Sequence, residues 1–200
     1  MRLLHTSDWH LGRQFHGASL LEDQAHVLGQ VVAYARDHAV DAVLVAGDLY
    51  DRSVPPASAT ALLDRVLNEL AVESGIPVIL VSGNHDGPLR LGFGARAMES
   101  SGIHLRTGFE PDPVVLGDAE GEVEFFCLPY AEPVRVAAAL GVDVSSHDEA
   151  MAALVERVHA RADPARRQVL VGHCFAAGGT ATDSERPLTV GGIEQVAVSR

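Results

Sequence analysis

The stretch Pro77 to Asp86, Pro-Val-Ile-Leu-Val-Ser-Gly-Asn-His-Asp, constrains this chain more than any other. Val78, Ile79, Leu80 and Val81 are continuously apolar and mostly β-branched, as in a strand covered on both faces. The run ends at Ser82-Gly83, and the three residues that follow all carry lone pairs or protons. Gly83 permits a sharp turn, so Asn84, His85 and Asp86 are presented at the carboxyl end of a buried strand. In open α/β sheets that end is where ligands bind.

The construction recurs. Leu3-Leu4-His5-Thr6 leads into Ser7-Asp8-Trp9-His10, Ala42-Val43-Leu44-Val45-Ala46 into Gly47-Asp48, and Val169-Leu170-Val171 into Gly172-His173. If these four strands are neighbours, Asp8, His10, Asp48, Asn84 and His173 converge on one patch.

Between the strands the period changes. Leu21, Ala25, Leu28, Val32, Ala35 and Ala39 mark one face of an amphipathic helix. A second helix follows Pro55-Pro56, with Leu62, Leu63, Val66, Leu67 and Leu70 on its apolar face and Gly75 after its end. Gly87-Pro88 opens a third, predicted to run to about Ser100 before Gly102. The order β-α-β-α-β-α requires crossover connections and a largely parallel sheet. Val114–Leu116 and Glu122–Leu128 then read as a hairpin across a turn-rich Gly117–Gly121. Ser146 and Glu149 form a capping box for a helix with Met151, Leu154, Val155, Val158 and Ala162 on one face. With no repeat or linker in evidence, residues 1–200 read as one domain.

The bulk properties narrow the class. At 200 residues and 47% hydrophobic, with slightly positive mean hydropathy, the chain can bury a substantial core. No apolar run reaches the ~18 residues of a membrane span, so no membrane association is expected. The amino terminus has no apolar secretory segment. Two cysteines, Cys127 and Cys174, make no disulfide framework, and a reduced, cytoplasmic location is expected. The net charge is −12 and all 15 basic residues are arginine, a poor basis for gripping a phosphate backbone unaided.

Asp8 and His10 are two apart, so an extended segment would turn both side chains the same way. A carboxylate with an imidazole suits manganese, iron or zinc. Each residue also has a plainer explanation: Asp8 as a helix cap, Asp48 as a turn residue, Asn84 in an Asx-turn, His173 as a core or surface histidine. What favours a metal site is the repetition of one strand-then-ligand pattern along the chain. His5, His16, His26, His38, His104, His147 and His159 lack that context and read as structural or solvated.

Together, Asp8-x-His10, Gly47-Asp48, Gly83-Asn84-His85-Asp86 and Gly172-His173 resemble, in order, the signature of the calcineurin-like metallophosphoesterase superfamily. His5-Thr6-Ser7-Asp8-Trp9-His10-Leu11-Gly12, Val45 to Asp51 and Ser53-Val54-Pro55-Pro56 further resemble the nuclease subunits of Mre-type double-strand-break repair complexes. The resemblance implies an α/β fold, an αββα sandwich of two mixed sheets flanked by helices. It also implies two divalent cations, manganese foremost, with magnesium, iron(II) or zinc as alternatives. Asp8 and His10 would hold the first, Asp48 would bridge both, and Asn84 and His173 would hold the second. His85 would act on the phosphate or the leaving oxygen rather than ligate. Gly47-Asp48-x-x-Asp51-Arg52 resembles the related phosphatase motif, which would make Asp51 the orienter of the catalytic histidine. Arg52 reads equally well as a phosphate ligand or a solvated loop residue.

One part of the pattern is missing. The superfamily completes its site with a Gly-His-x-His element, and none occurs between His173 and Arg200. The expectation is therefore the amino-terminal part of the catalytic domain, incomplete at its C-terminus and without the capping region. The implied function is a metal-dependent DNA exonuclease and endonuclease in break repair and DNA-end processing. It would work with an SMC-like ATPase, as a homodimer within a heterotetramer. Alternatives are a phosphoesterase for small phosphodiesters or phosphoproteins, and a non-catalytic interaction domain of the same fold.

Overall fold

A computed structural model describes residues 1–176 and 195–196. The stretch containing Val190-Gly191-Gly192-Ile193 lies outside the described residues. The elements run β1 (Leu3–Thr6), β2 (Gln14–Phe15), β3 (Ala18–Ser19), α1 (Leu21–Asp37), β4 (Ala42–Ala46), α2 (Ala57–Leu67) and a π-helical turn over Asn68–Glu73. Next come β5 (Val78–Val81), α3 (Pro88–Leu91), α4 (Ala95–Met98), a 3-10 turn at Glu99–Ser101 and β6 (Ile103–Arg106). The remainder is β7 (Val114–Asp118), β8 (Gly121–Leu128), α5 (Pro133–Leu140), α6 (His147–Arg161), β9 (Arg167–Gly172), β10 (Phe175–Ala176) and β11 (Gln195–Val196).

Two sheets carry the fold. The first has the order β1-β4-β5-β6 and is parallel throughout. The second has the order β7-β8-β9, with β7 and β8 antiparallel and β8 and β9 parallel. Side-chain alternation along each strand separates three cores. Val43 and Val45 of β4, with Val78 and Leu80 of β5, pack against α1 and α2. Leu44, Ala46, Ile79 and Val81 point the other way, onto Val123, Phe125 and Cys127 of β8. Phe126 and Leu128, on the opposite face of β8, meet Val136 of α5 and Met151, Leu154 and Val158 of α6. The result is the expected αββα sandwich, with the refinement that only the second sheet is mixed.

Three local expectations change. The helix after Gly87 is broken into α3 and α4 at Gly92-Phe93-Gly94, where Gly94 adopts φ +77° and interrupts the helical dihedrals. Ala39 lies beyond the end of α1 with φ +46°. The fourth ligand-bearing strand, β9, is not a neighbour of the other three but lies in the second sheet. The capping box forms as read: the Ser146 hydroxyl accepts from Glu149 N–H, and the Glu149 carboxylate accepts from Ser146 N–H.

Candidate metal centre

The loop after β1 alternates between core and cleft. Trp9 and Leu11 are buried with the α1/α2 core, so Asp8 and His10, which alternate with them, face outward. This loop is zipped to the one after β4 by Asp8 N–H to Gly47 O (3.0 Å), His10 N–H to Asp48 O (2.9 Å) and Leu11 N–H to Leu49 O (2.9 Å). The backbone is not extended as the two-residue spacing suggested. Asp8, His10 and Asp48 all have positive φ, 55°, 43° and 49°. Aspartate and histidine tolerate the left-handed region better than most residues, but such conformations still cost of order 1–3 kcal/mol each and concentrate at functional sites.

Asp48, 4% exposed at its side chain, sits at the centre. Its Oδ2 lies 3.7 Å from His10 Nε2, 3.7 Å from His173 Nε2 and 4.0 Å from His85 Nε2. Its Oδ1 accepts a 2.8 Å hydrogen bond from His85 N–H, joining the β4 loop to the β5 loop. Asp8 Oδ1 is 3.7 Å from His10 Nε2, and the His10 imidazole holds the Asp8 carboxyl below the usual carboxylate range. Asp8 is half-exposed while His10, His85 and His173 are largely covered, so the cleft has a buried floor and an open rim.

His173 crosses from the second sheet. Its N–H donates to Leu128 O (3.2 Å), and Tyr130 N–H on the same segment donates to Ser82 O (2.9 Å) at the end of β5. The first bond extends the β8–β9 pairing and the second ties the carboxyl ends of the two sheets together. In the ring, Nδ1 is 2.8 Å from Ala46 O and Nε2 is 3.0 Å from Asn84 Oδ1. A neutral imidazole has one N–H, so it satisfies only one of these two oxygens. With the proton on Nδ1, the lone pairs of His173 Nε2, Asn84 Oδ1 and Asp48 Oδ2 face a shared space. That is a donor set for a cation.

The other side of Asp48 is built alike. Oxygen and nitrogen ligands sit about 2.0–2.2 Å from a zinc-like divalent ion, which leaves neighbouring ligand atoms roughly 3–4 Å apart, the separations found around Asp48 Oδ2. Asp8, His10 and Asp48 present their donor atoms within 4.8 Å of one another, as do His10, Asp51 and His85. His10 Nδ1 is buried with no hydrogen-bond partner among the described residues and lies 3.8 Å from Asp51 Oδ1. The donor set fits divalent metal. All five residues read as ligands are brought together.

His85 and Asp51 meet through the main chain. His85 Nδ1 is 3.0 Å from the backbone carbonyl of Asp51, so Asp51 orients the histidine by that carbonyl rather than by its side chain. The Asp51 carboxylate faces His10 instead. The His10 and His85 rings meet edge to face with centroids 4.7 Å apart. Arg52 is exposed, its Nε 3.7 Å from Asp51 Oδ2. The residue that reading the sequence missed is Asp86. Its buried carboxylate accepts N–H bonds from Leu49 (3.1 Å), Tyr50 (2.9 Å) and Gly83 (2.9 Å), and so pins the β4 and β5 loops to each other. Burial pushes the Asp86 carboxyl up, and those three donors oppose the shift.

Two glycines make room for the cluster. A Cβ at Gly47 would meet His173 Nδ1 at 2.1 Å, and one at Gly83 would meet Asp48 Oδ1 at 2.1 Å. Gly47 also has φ +89°.

The calcineurin-like phosphoesterase profile matches residues 1–183. A curated relative, the SbcD subunit of the SbcCD nuclease of Staphylococcus epidermidis, is 37% identical over 199 residues, covering 98% of this chain and 52% of the relative. The chain thus spans about half the length of that relative. Among solved structures, the nuclease MPE of Pseudomonas putida is similar at 19% identity and a TM-score of 0.37, over 66% of this chain and 56% of that one.

Proposed function

The chain belongs to the calcineurin-like phosphoesterase family, and on that premise we propose that it carries the metal-binding part of a two-metal DNA nuclease. The observation that carries the reading is Asp48 Oδ2, set 3.7–4.0 Å from three imidazole nitrogens that arrive on three different loops. In this reading Asp8 and His10 would hold one cation and Asn84 and His173 the other, with Asp48 shared between them. Manganese is the foremost candidate, with magnesium, iron(II) and zinc as alternatives. Bound there, the pair would polarise a phosphodiester and lower the pKa of an attacking water.

His85 does the proton work. Its Nδ1–H is held by the Asp51 carbonyl, so when the ring carries a second proton, on Nε2, that proton can pass to the leaving oxygen and the neutral Nδ1–H imidazole remains. Asp51 fixes the direction of that ring and adds negative charge beside His10.

The substrate is duplex DNA and its ends, cut by exonuclease and endonuclease activity during double-strand-break repair and recombination. The likeness to an SbcCD nuclease subunit over nearly the whole chain supports this assignment. A chain of net charge −12 without lysine grips DNA weakly by itself. An SMC-like ATPase of the SbcC type would supply that grip, with two copies of the nuclease in a heterotetramer. The reading places the complex in the cytoplasm. Among the described residues no helix is long and apolar enough to cross a membrane.

The test is manganese-dependent digestion of linear duplex DNA by the full-length protein with its ATPase partner, beside turnover of a small aryl phosphodiester. Degradation of DNA lost on metal removal is expected. Turnover of the small ester with DNA left intact would favour a small-molecule phosphoesterase, and no metal binding would favour a non-catalytic domain.

A further inference from the structure

The ligand loop after β1 is clamped from two sides. Its N–H groups reach the β4 loop. The carbonyls of Trp9 and His10 face the other way, toward α1, and meet one side chain there, His10 O also accepting from Arg13 N–H (3.0 Å). Gln24 Nε2 donates to Trp9 O (3.0 Å) and to His10 O (2.8 Å), while Gln24 Oε1 accepts from Gly12 N–H (3.1 Å). One half-buried amide thus satisfies three backbone groups across Trp9 to Gly12. Both donated bonds fall on peptides that flank His10, a residue held at φ 43°.

We propose that Gln24 is a positioning residue for the metal centre, fixing the strained Asp8–His10 loop in its ligating geometry. Its own place is fixed by α1, which is anchored in the core through Leu28, Val32 and Ala35. The helix therefore acts as the rigid support and Gln24 as its contact with the ligand loop. Amide chemistry is required: two donors and one acceptor on a single planar group match two carbonyls and one N–H. A glutamate offers no donors, and a shorter asparagine falls one methylene short. Groups that orient metal ligands without touching the metal typically change affinity 10–100-fold when removed.

The inference rests on reading Asp8 and His10 as metal ligands, and the experiment separates the two. In the full-length protein, manganese binding is followed by electron paramagnetic resonance titration for the parent, Gln24→Met and Asp8→Ala, with thermal unfolding of each metal-free protein alongside. Asp8→Ala identifies which binding step belongs to this loop. Gln24→Met, equal in length but without donors or acceptors, is expected to weaken that same step by about 10–100-fold. Its kcat should recover toward the parent value as manganese is raised, with substrate KM unchanged. Gln24→Ala, which admits water to the same backbone groups, should lose less affinity and serves if the methionine variant does not fold. Unchanged manganese affinity with only a lower unfolding temperature would overturn the proposal. If Asp8→Ala itself leaves both binding steps intact, the ligand assignment fails instead and the proposal falls with it.

Discussion

His173 and Asp48 belong to different sheets, yet His173 Nε2 lies 3.7 Å from Asp48 Oδ2 while its Nδ1 lies 2.8 Å from the carbonyl of Ala46, two residues before that aspartate. The end of β4 and its loop therefore both orient the histidine and set a carboxylate beside it. If Asp48 bridges two metals, Asp48→Asn in the full-length protein should lose affinity at both. The loss should exceed the 10–100-fold typical of outer groups. Titration with manganese checks this, and a loss confined to one site would show that Asp48 serves only that site.

His85 makes a different prediction. Its backbone N–H anchors to Asp48 and its ring is aimed by Asp51 O. His85→Ala keeps the backbone bond but removes the proposed acid. Turnover should fall by about 10²–10⁴-fold, with manganese stoichiometry unchanged. Absence of both metals in that variant would make His85 a ligand and refute its role as an acid.

Gly47 and Gly83 test the packing directly. Alanine at either position drives a methyl group to within 2.1 Å of His173 Nδ1 or Asp48 Oδ1. Overpacking of this kind costs about 1–3 kcal/mol, and here it also displaces proposed ligands. Both variants should lower the unfolding temperature and manganese affinity together. Gly117→Ala, with open space around the position and ordinary φ, should change neither.

How far the sequence reaches can be traced element by element. Strands β4 and β5 are legible because each is buried on both faces and so reads as a continuous apolar run. Asp48 and Asn84 are legible because each follows such a run, whereas Asp8, His10 and His173 follow strands that are only partly covered. The short edge strand β6 is hidden, since four residues of alternating burial at Ile103–Arg106 give little signal. So is α5, eight residues of which only Val136 is a fully buried side chain. The left-handed backbone of Asp8 and His10 is set by the β4 loop and by Gln24 from α1, and neither contact is local in sequence. For the same reason the Asp51 carboxylate points at His10 rather than His85. Asp86 reads as one more loop aspartate until its three N–H partners, two of them more than thirty residues away, are seen.

Stability near neutral pH should respond to His104 on β6. Burial, with the nearby Arg106 cation second, holds its imidazole below the ordinary value of 6.5. The unfolded chain then binds the proton more readily than the folded one, so this histidine favours the fold fully above pH 6.5. That contribution is lost as pH falls below 6.5 toward the lower folded value. Denaturant unfolding between pH 7.5 and pH 5 should show a slope that flattens in His104→Leu. An equal slope in parent and variant would place the acid sensitivity elsewhere.

The central claim is that one carboxylate joins two cations. Electron paramagnetic resonance of the full-length protein loaded with two equivalents of manganese addresses it directly, because ions about 3.5–4 Å apart are magnetically coupled. The account predicts a coupled dimanganese signal that Asp48→Asn abolishes. Two independent mononuclear signals, or a coupled pair that survives the loss of Asp48, would contradict it.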